Sequence, residues 1–149
     1  MKKKAKPLIY LCGPIHGRDD DDCMYWRRIA AETLPGGTLD PMRRDARGRM
    51  NEPGVAKAVV EADKEDIDRS AGLLVYFDLP SVGTSMEILY AWQMGKPIVL
   101  LNASGHVNAD ISLWLHYHCT EILLVSDSRP SVVKRAIGAG LSKLQLLIG

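Results

Sequence analysis

The strongest restriction on the fold is an alternation. Five short apolar runs, PLIYLC (7–12), TLDPM (38–42), LLVYF (73–77), IVLL (98–101) and EILLV (121–125), are separated by segments with helical patterning. Strands that are apolar at nearly every position are those covered on both faces. Strand and helix in this order predict an α/β protein: a single-domain, doubly wound (Rossmann- or flavodoxin-like) five-stranded parallel sheet with helices on both faces. The 149 residues suit one domain, with no internal repeat or linker to mark a second. Residues 1–6, MKKKAK, read as a flexible basic tail.

The helices follow from spacing. In DDDDCMYWRRIAAETL (19–34), Trp26, Ile29, Ala30, Thr33 and Leu34 fall on one face, and the aspartates lie at the positive end of the helix dipole. A second helix is predicted over 55–70 with Gly72 as its stop, and a third within SVGTSMEILYAWQMGKP (81–97), ended by Gly95 and Pro97. A short one covers 111–118 and an amphipathic one, with two tolerated glycines, 131–148. RRDARGRMNEPG (43–54) has no periodicity and reads as a loop whose arginines are mostly solvated.

Several function classes lack support. A net charge of +1 gives no reason to expect a nucleic acid polymer or a membrane surface as partner. The apolar run after the basic start is too short for a signal sequence, and no segment has transmembrane length, so the cytoplasm is the expected location. Three cysteines without CxxC spacing indicate neither a disulfide framework nor a zinc site, and His106, His116 and His118 have no metal-ligand companions and read as surface or interface residues. There is no GxGxxG after the first strand and no P-loop, which argues against dinucleotide and P-loop chemistry.

In open α/β sheets, ligands bind beyond the carboxyl ends of the strands. That rule selects Gly13–Gly17, Asp40–Arg44, Asp78–Glu87 and Asn102–Ser112. Glu87 has two readings. Thr84-Ser85-Met86-Glu87 matches a capping box, with Thr84 as N-cap. Glu87 also stands at the carboxyl edge of the sheet, where a helix N-terminus would keep it ionised and nucleophilic. Asp63 shares a helix face with Ile67 and Ala71 and would be a charge on a mostly buried stripe, whereas Asp66 and Asp68 fall on solvated faces. Tyr10, near the end of the first strand, could reach the same crevice with its hydroxyl.

These residues together resemble the nucleoside 2-deoxyribosyltransferase superfamily, which includes the 2'-deoxynucleoside 5'-monophosphate N-glycosidases. The resemblance lies in IYLCGPIHG (9–17), DKEDI (63–67) and VGTSMEILYAWQMGKPIVLL (82–101), with ISLWL (111–115) similar to a segment that reaches a neighbouring subunit's site. It implies a cofactor-free, metal-free enzyme built from dimers, acting on a small-molecule deoxynucleoside or deoxynucleotide, with an acceptor base in the case of transfer. Glu87 would be the nucleophile, Asp63 the acid that helps the base depart, and Tyr10 the group that orients Glu87. Gly13, Ile15, His16, Gly17 and Asp40, with Met42 and the arginine loop, are expected around the base and sugar. Ser81, Gly83 and the neighbour's Ser112 are expected at the 5' end, where the Gly17 backbone, His16 or an arginine of the loop could also contribute to a phosphate. Where nucleoside transferases tend to carry an acidic residue and often an asparagine, this chain has Ser81 and Ser112, as the monophosphate glycosidases do. The leading expectation is hydrolysis of 5'-monophosphates through a covalent deoxyribosyl-Glu87 ester. The alternatives are base-to-base transfer and a non-catalytic nucleotide-binding module in which Glu87 is only a cap.

Overall fold

All five expected strands form in the computed structural model, which describes residues 6–149. The expected basic tail lies, apart from Lys6, outside the described residues. The elements run β1 (Ile9–Cys12), α1 (Asp20–Thr33), β2 (Thr38–Leu39), α2 (Val55–Arg69), β3 (Gly72–Phe77), α3 (Val82–Gln93), β4 (Ile98–Asn102), α4 (Leu113–His118), β5 (Glu121–Leu124) and α5 (Pro130–Ile148). The sheet order is β2-β1-β3-β4-β5 and every pairing is parallel. The strand order reverses between β1 and β3, so a crevice opens beyond their carboxyl ends.

Strand alternation divides the core in two. Tyr10, Cys12, Leu73, Val75, Ile98 and Leu100 meet Ile67 of α2 and Ile88 and Ala91 of α3. Ile9, Leu11, Leu74, Val99 and Leu101 meet Trp26 and Ala30 of α1 and Val133, Ile137 and Leu144 of α5. Each fully buried aliphatic side chain contributes about 1.5–3 kcal/mol. Among the described residues, no helix is long and apolar enough to cross a membrane.

The termini of the elements explain where the sequence reading holds and where it fails. Asp19 caps α1 by accepting from Asp22 N–H at 2.8 Å, and Gly95 takes φ +73° just past α3. The capping-box reading of Glu87 is wrong. α3 begins a turn earlier than Thr84, with Ser81 as its N-cap accepting from Thr84 N–H at 3.3 Å. Gly72 does not stop α2. Ser70 closes that helix, and Gly72 opens β3 where a Cβ would lie 3.0 Å from the Pro97 carbonyl oxygen. Nor are both glycines of α5 merely tolerated: a Cβ on Gly140 would meet Leu74 at 2.8 Å, so its absence lets α5 settle on the sheet. The segment after β2 is not all loop, because Asp40 caps a 3-10 turn over Pro41–Arg44.

Candidate active site

A cavity of about 340 Å³ lies at the reversal point of the strand order, between the loop after β1, the segment after β2, α2 and the start of α3. Glu87 and Asp63 both line it, from α3 and α2. A second hollow of similar volume between α2 and α3 shares Val60, Asp63, Gly83 and Glu87 with the first. The two carboxylates therefore stand where two openings meet.

With Ser81 as cap, Glu87 sits in the second turn of α3, and its side chain is free of the helix start. Glu87 is half-buried as a residue, but its Oε2 is shut off from solvent and has no hydrogen-bond partner among the described residues. Behind it, the Tyr10 hydroxyl is likewise buried and unpartnered. The two groups are close enough to bias each other's titration yet fall short of good hydrogen-bond geometry. Burial pushes the Glu87 carboxyl up to about 7, against the pull of the Tyr10 hydroxyl, and the Asp63 charge adds to the rise. Burial, then the Glu87 charge, holds the Tyr10 phenol far above its ordinary range. Burial also raises Asp63, opposed by its hydrogen bond from Arg44. Cys12 Sγ approaches the Thr84 carbonyl oxygen at 3.8 Å beneath the same turn.

The remaining expected residues divide. Gly13, Ile15, His16, Ser81 and Gly83 line the cavity beside Glu87. Gly13 must be glycine, since a Cβ would lie 2.7 Å from the Trp26 ring. Gly17 takes φ +73° at the turn beyond and is not a lining residue. Asp40 does not line the cavity either: its Oδ1 accepts from Arg27 Nη1 and from Met42 N–H, both at 2.9 Å. Ser112 caps α4 and lines a separate groove with Ser85, Met86 and Leu89, so it does not reach its own chain's Glu87 cavity.

Four features escaped the sequence reading. Asp66 is buried rather than solvated, and Arg43, Arg44 and Arg69 all donate to it. Burial raises its carboxyl, but the three guanidiniums outweigh burial and hold it below the ordinary carboxylate range. Arg27 is fully buried, donating to Leu11 O at 2.9 Å and Gly13 O at 3.0 Å, and so fixes the end of β1 and the loop that follows. Its signal was its position, four residues after Cys23 and three before Ala30 on the buried side of α1. The arginine loop is also more ordered than expected. Arg47 donates to Asp45, Asp20 and the Arg18 carbonyl, and this closes residues 44–50 over the cavity. His118, finally, is buried among Trp92, Trp114 and Tyr117.

Among the described residues, no cluster of three or more His, Cys, Asp or Glu side chains is placed to hold a metal ion. Two carboxyl groups of raised pKa in one cavity, one of them backed by a buried phenol, are suited to nucleophilic and acid–base work on an organic substrate.

A flavodoxin-like sheet with such a pair at its crevice defines an α/β enzyme class, and comparison with known proteins narrows it. The family model for nucleoside 2-deoxyribosyltransferase matches residues 9–120. The chain belongs to the nucleoside 2-deoxyribosyltransferase family and is an enzyme of deoxyribosyltransferase or N-glycosidase type. No curated protein matches it significantly. Its fold is similar to that of a 2-deoxyribosyltransferase from Bacillus psychrosaccharolyticus, with TM-score 0.64, 16% identity, and 85% of this chain and 89% of that one covered. It is equally similar to a conserved protein from Enterococcus faecalis V583, with TM-score 0.64, 17% identity, and 91% and 99% covered.

Proposed function

We propose that the protein cleaves the N-glycosidic bond of 2'-deoxynucleoside 5'-monophosphates by hydrolysis, through a covalent ester on Glu87. The observation that carries the reading is the pairing of Glu87 and Asp63 in one cavity, with the unpartnered Tyr10 hydroxyl behind Glu87. A Glu87 oxygen attacks C1' as the C1'–N bond breaks through an oxocarbenium-like state. The bond's electron pair leaves with the base, and Asp63 supplies or positions the proton that base receives. Water then cleaves the ester, releasing the sugar phosphate and restoring the Glu87 carboxylate. Tyr10 orients Glu87 and can donate to it when it is charged. The setting is the cytoplasm.

The lean to monophosphates rests on the start of α3. Ser81 Oγ lies at the cavity, and the first N–H groups of a helix, here those of Val82 and Gly83, have no intrahelical partner. A carboxylate in place of Ser81 would repel a phosphate. Aspartate is as good an N-cap as serine, so Ser81→Asp should keep the fold. It is expected to lower turnover of monophosphates roughly 10²-fold relative to free deoxynucleosides. The measurement is base release from both substrate sets, with and without a free acceptor base. Faster release from unphosphorylated substrates by the unmodified protein, with new nucleoside formed, would replace hydrolysis by transfer. Absence of release from every substrate would leave the non-catalytic module.

Dimerisation belongs to the same proposal. Ser112 lies at the head of α4, on which Leu113, Trp114 and Tyr117 are 82%, 73% and 70% exposed. An apolar face of this kind fits a second copy, which would bring its Ser112 to the phosphate end of the cavity. Trp114→Asp is expected to give a monomer on gel filtration that has lost most of its activity. A fully active monomer would refute this part of the reading.

A further inference from the structure

The chemistry proposed above makes no use of Arg44, although that residue closes the 3-10 turn after β2 and enters the cavity wall. Arg44 Nη2 donates at 2.8 Å to Asp63 Oδ1 and at 2.8 Å to Asp66 Oδ2. Asp63 lines the cavity, whereas Asp66, three residues on along α2, is 5% exposed and does not. Asp66 Oδ1 also accepts from Arg69 Nη2 at 3.0 Å, and its Oδ2 is paired with Arg43. A carboxylate shared by three guanidiniums is unsuited to proton transfer. It is well suited to holding one of those guanidiniums still.

An unrestrained aspartate on a helix samples several rotamers. Asp63 has one oxygen fixed by Arg44, and no other hydrogen bond to that carboxylate occurs among the described residues. We propose that Arg44 is the positioning residue for Asp63: Asp66 holds the guanidinium from behind, and the guanidinium holds the Asp63 carboxylate in the orientation from which it meets the departing base. The inference rests on the reading of Asp63 as the group that assists departure. Both bonds come from one nitrogen whose two N–H groups are fixed in the guanidinium plane, so the one held by Asp66 aims the other at Asp63. The charged and titratable groups around Asp63 are Arg44, Asp66 on its own helix, Arg27 from α1, Glu87 from α3 and Tyr10 from β1.

The test uses the full chain and three variants, Arg44→Met, Arg44→Lys and Asp66→Asn. It reads kcat and KM for base release from deoxynucleoside monophosphates against pH, the melting temperature, and the titration of Asp63 by carbon NMR of aspartate-labelled protein. Arg44→Met is expected to lower kcat roughly 10- to 100-fold with little change in KM, and to move the Asp63 titration upward because its cation is gone. Arg44→Lys should restore much of that titration but not the full kcat, since a freely rotating ammonium supplies the charge without the fixed plane that aims one N–H at Asp63. Asp66→Asn lies outside the cavity and removes a negative neighbour, so the Asp63 titration should move downward while kcat falls. Opposed shifts in the two charge-changing variants would not arise from a structural role alone. If Arg44→Met does not fold, Asp66→Asn and Arg44→Lys carry the test. An unchanged kcat and Asp63 titration in the Arg44 variants, or an unchanged kcat in Asp66→Asn, would overturn the proposal. If the unmodified protein releases no base at all, the functional reading fails, and the NMR titrations still decide whether Arg44 governs Asp63.

Discussion

Replacing Glu87 by glutamine is expected to abolish base release, by roughly 10⁴-fold or more, while leaving the protein at least as stable as before. Glutamine keeps the shape of the side chain but cannot form the ester. Nothing in the helix start is lost, because Ser81 rather than Glu87 caps α3. The stability change follows from the carboxyl's titration, displaced by burial from 4.5 to about 7. The folded protein holds this proton more tightly than the unfolded chain. The Glu87 carboxyl therefore favours the fold below about 4.5, and that advantage is lost as pH rises to about 7. Glutamine is neutral throughout. The variant should match the unmodified protein in acid and gain over it across this window. Above it the gain is about 2 kcal/mol, allowing for Glu87's partial exposure, which is about 4–8 °C in melting temperature for a chain of this size. In the unmodified protein kcat/KM should rise through pH of about 7, as the attacking carboxylate forms. Melting curves from pH 4 to 9 and a pH–rate profile check both parts. A variant that still releases base would remove Glu87 from the chemistry.

The strands were legible because parallel strands covered on both faces must be apolar at nearly every position, and LLVYF and IVLL are. The crevice was legible because strand order and ligand position are linked in such sheets, and Glu87 and Asp63 both fall beside it. The electrostatics were not. Asp66 looked solvated because helical periodicity assigns it a face of α2 without saying what packs there. The 3-10 turn after β2 delivers Arg43 and Arg44 to that face, and nothing periodic in residues 43–54 announces the turn. Arg27 was hidden for a related reason: burial of an arginine depends on carbonyl groups, Leu11 O and Gly13 O, contributed by β1 and the loop after it. A helix start was misplaced where two residues able to cap stood three apart. The capping box put the start of α3 at Thr84, but Ser81 caps it, and the earlier start adds a turn of helix over the sheet.

Two glycines of the site separate packing from function, and one of them yields the second large effect. At Gly13 the backbone has no room for a methyl group, which would strike the Trp26 ring at 2.7 Å and the Tyr76 carbonyl at 3.2 Å. Gly13→Ala should therefore cost about 1–3 kcal/mol of stability, and its loss of activity would say little about chemistry. At Gly83 a Cβ would have only Glu87 Oε1 near it, at 3.9 Å, and the helical backbone needs no glycine. Glycine within a helix costs roughly 0.5–1 kcal/mol relative to alanine, so the fold alone would favour replacing it. What the missing side chain leaves open is the space over Glu87, together with the N–H groups at the start of α3. Gly83→Ala should hold or raise the melting temperature while lowering kcat/KM. Gly83→Leu should lower kcat/KM roughly 10²-fold or more in a protein that still melts near the unmodified temperature. Stability and activity are thus expected to part company at position 83 and to fall together at position 13. Full activity in Gly83→Leu would mean that the sugar and its phosphate do not pass over this turn, and the 5' end of the substrate would have to lie elsewhere in the cavity.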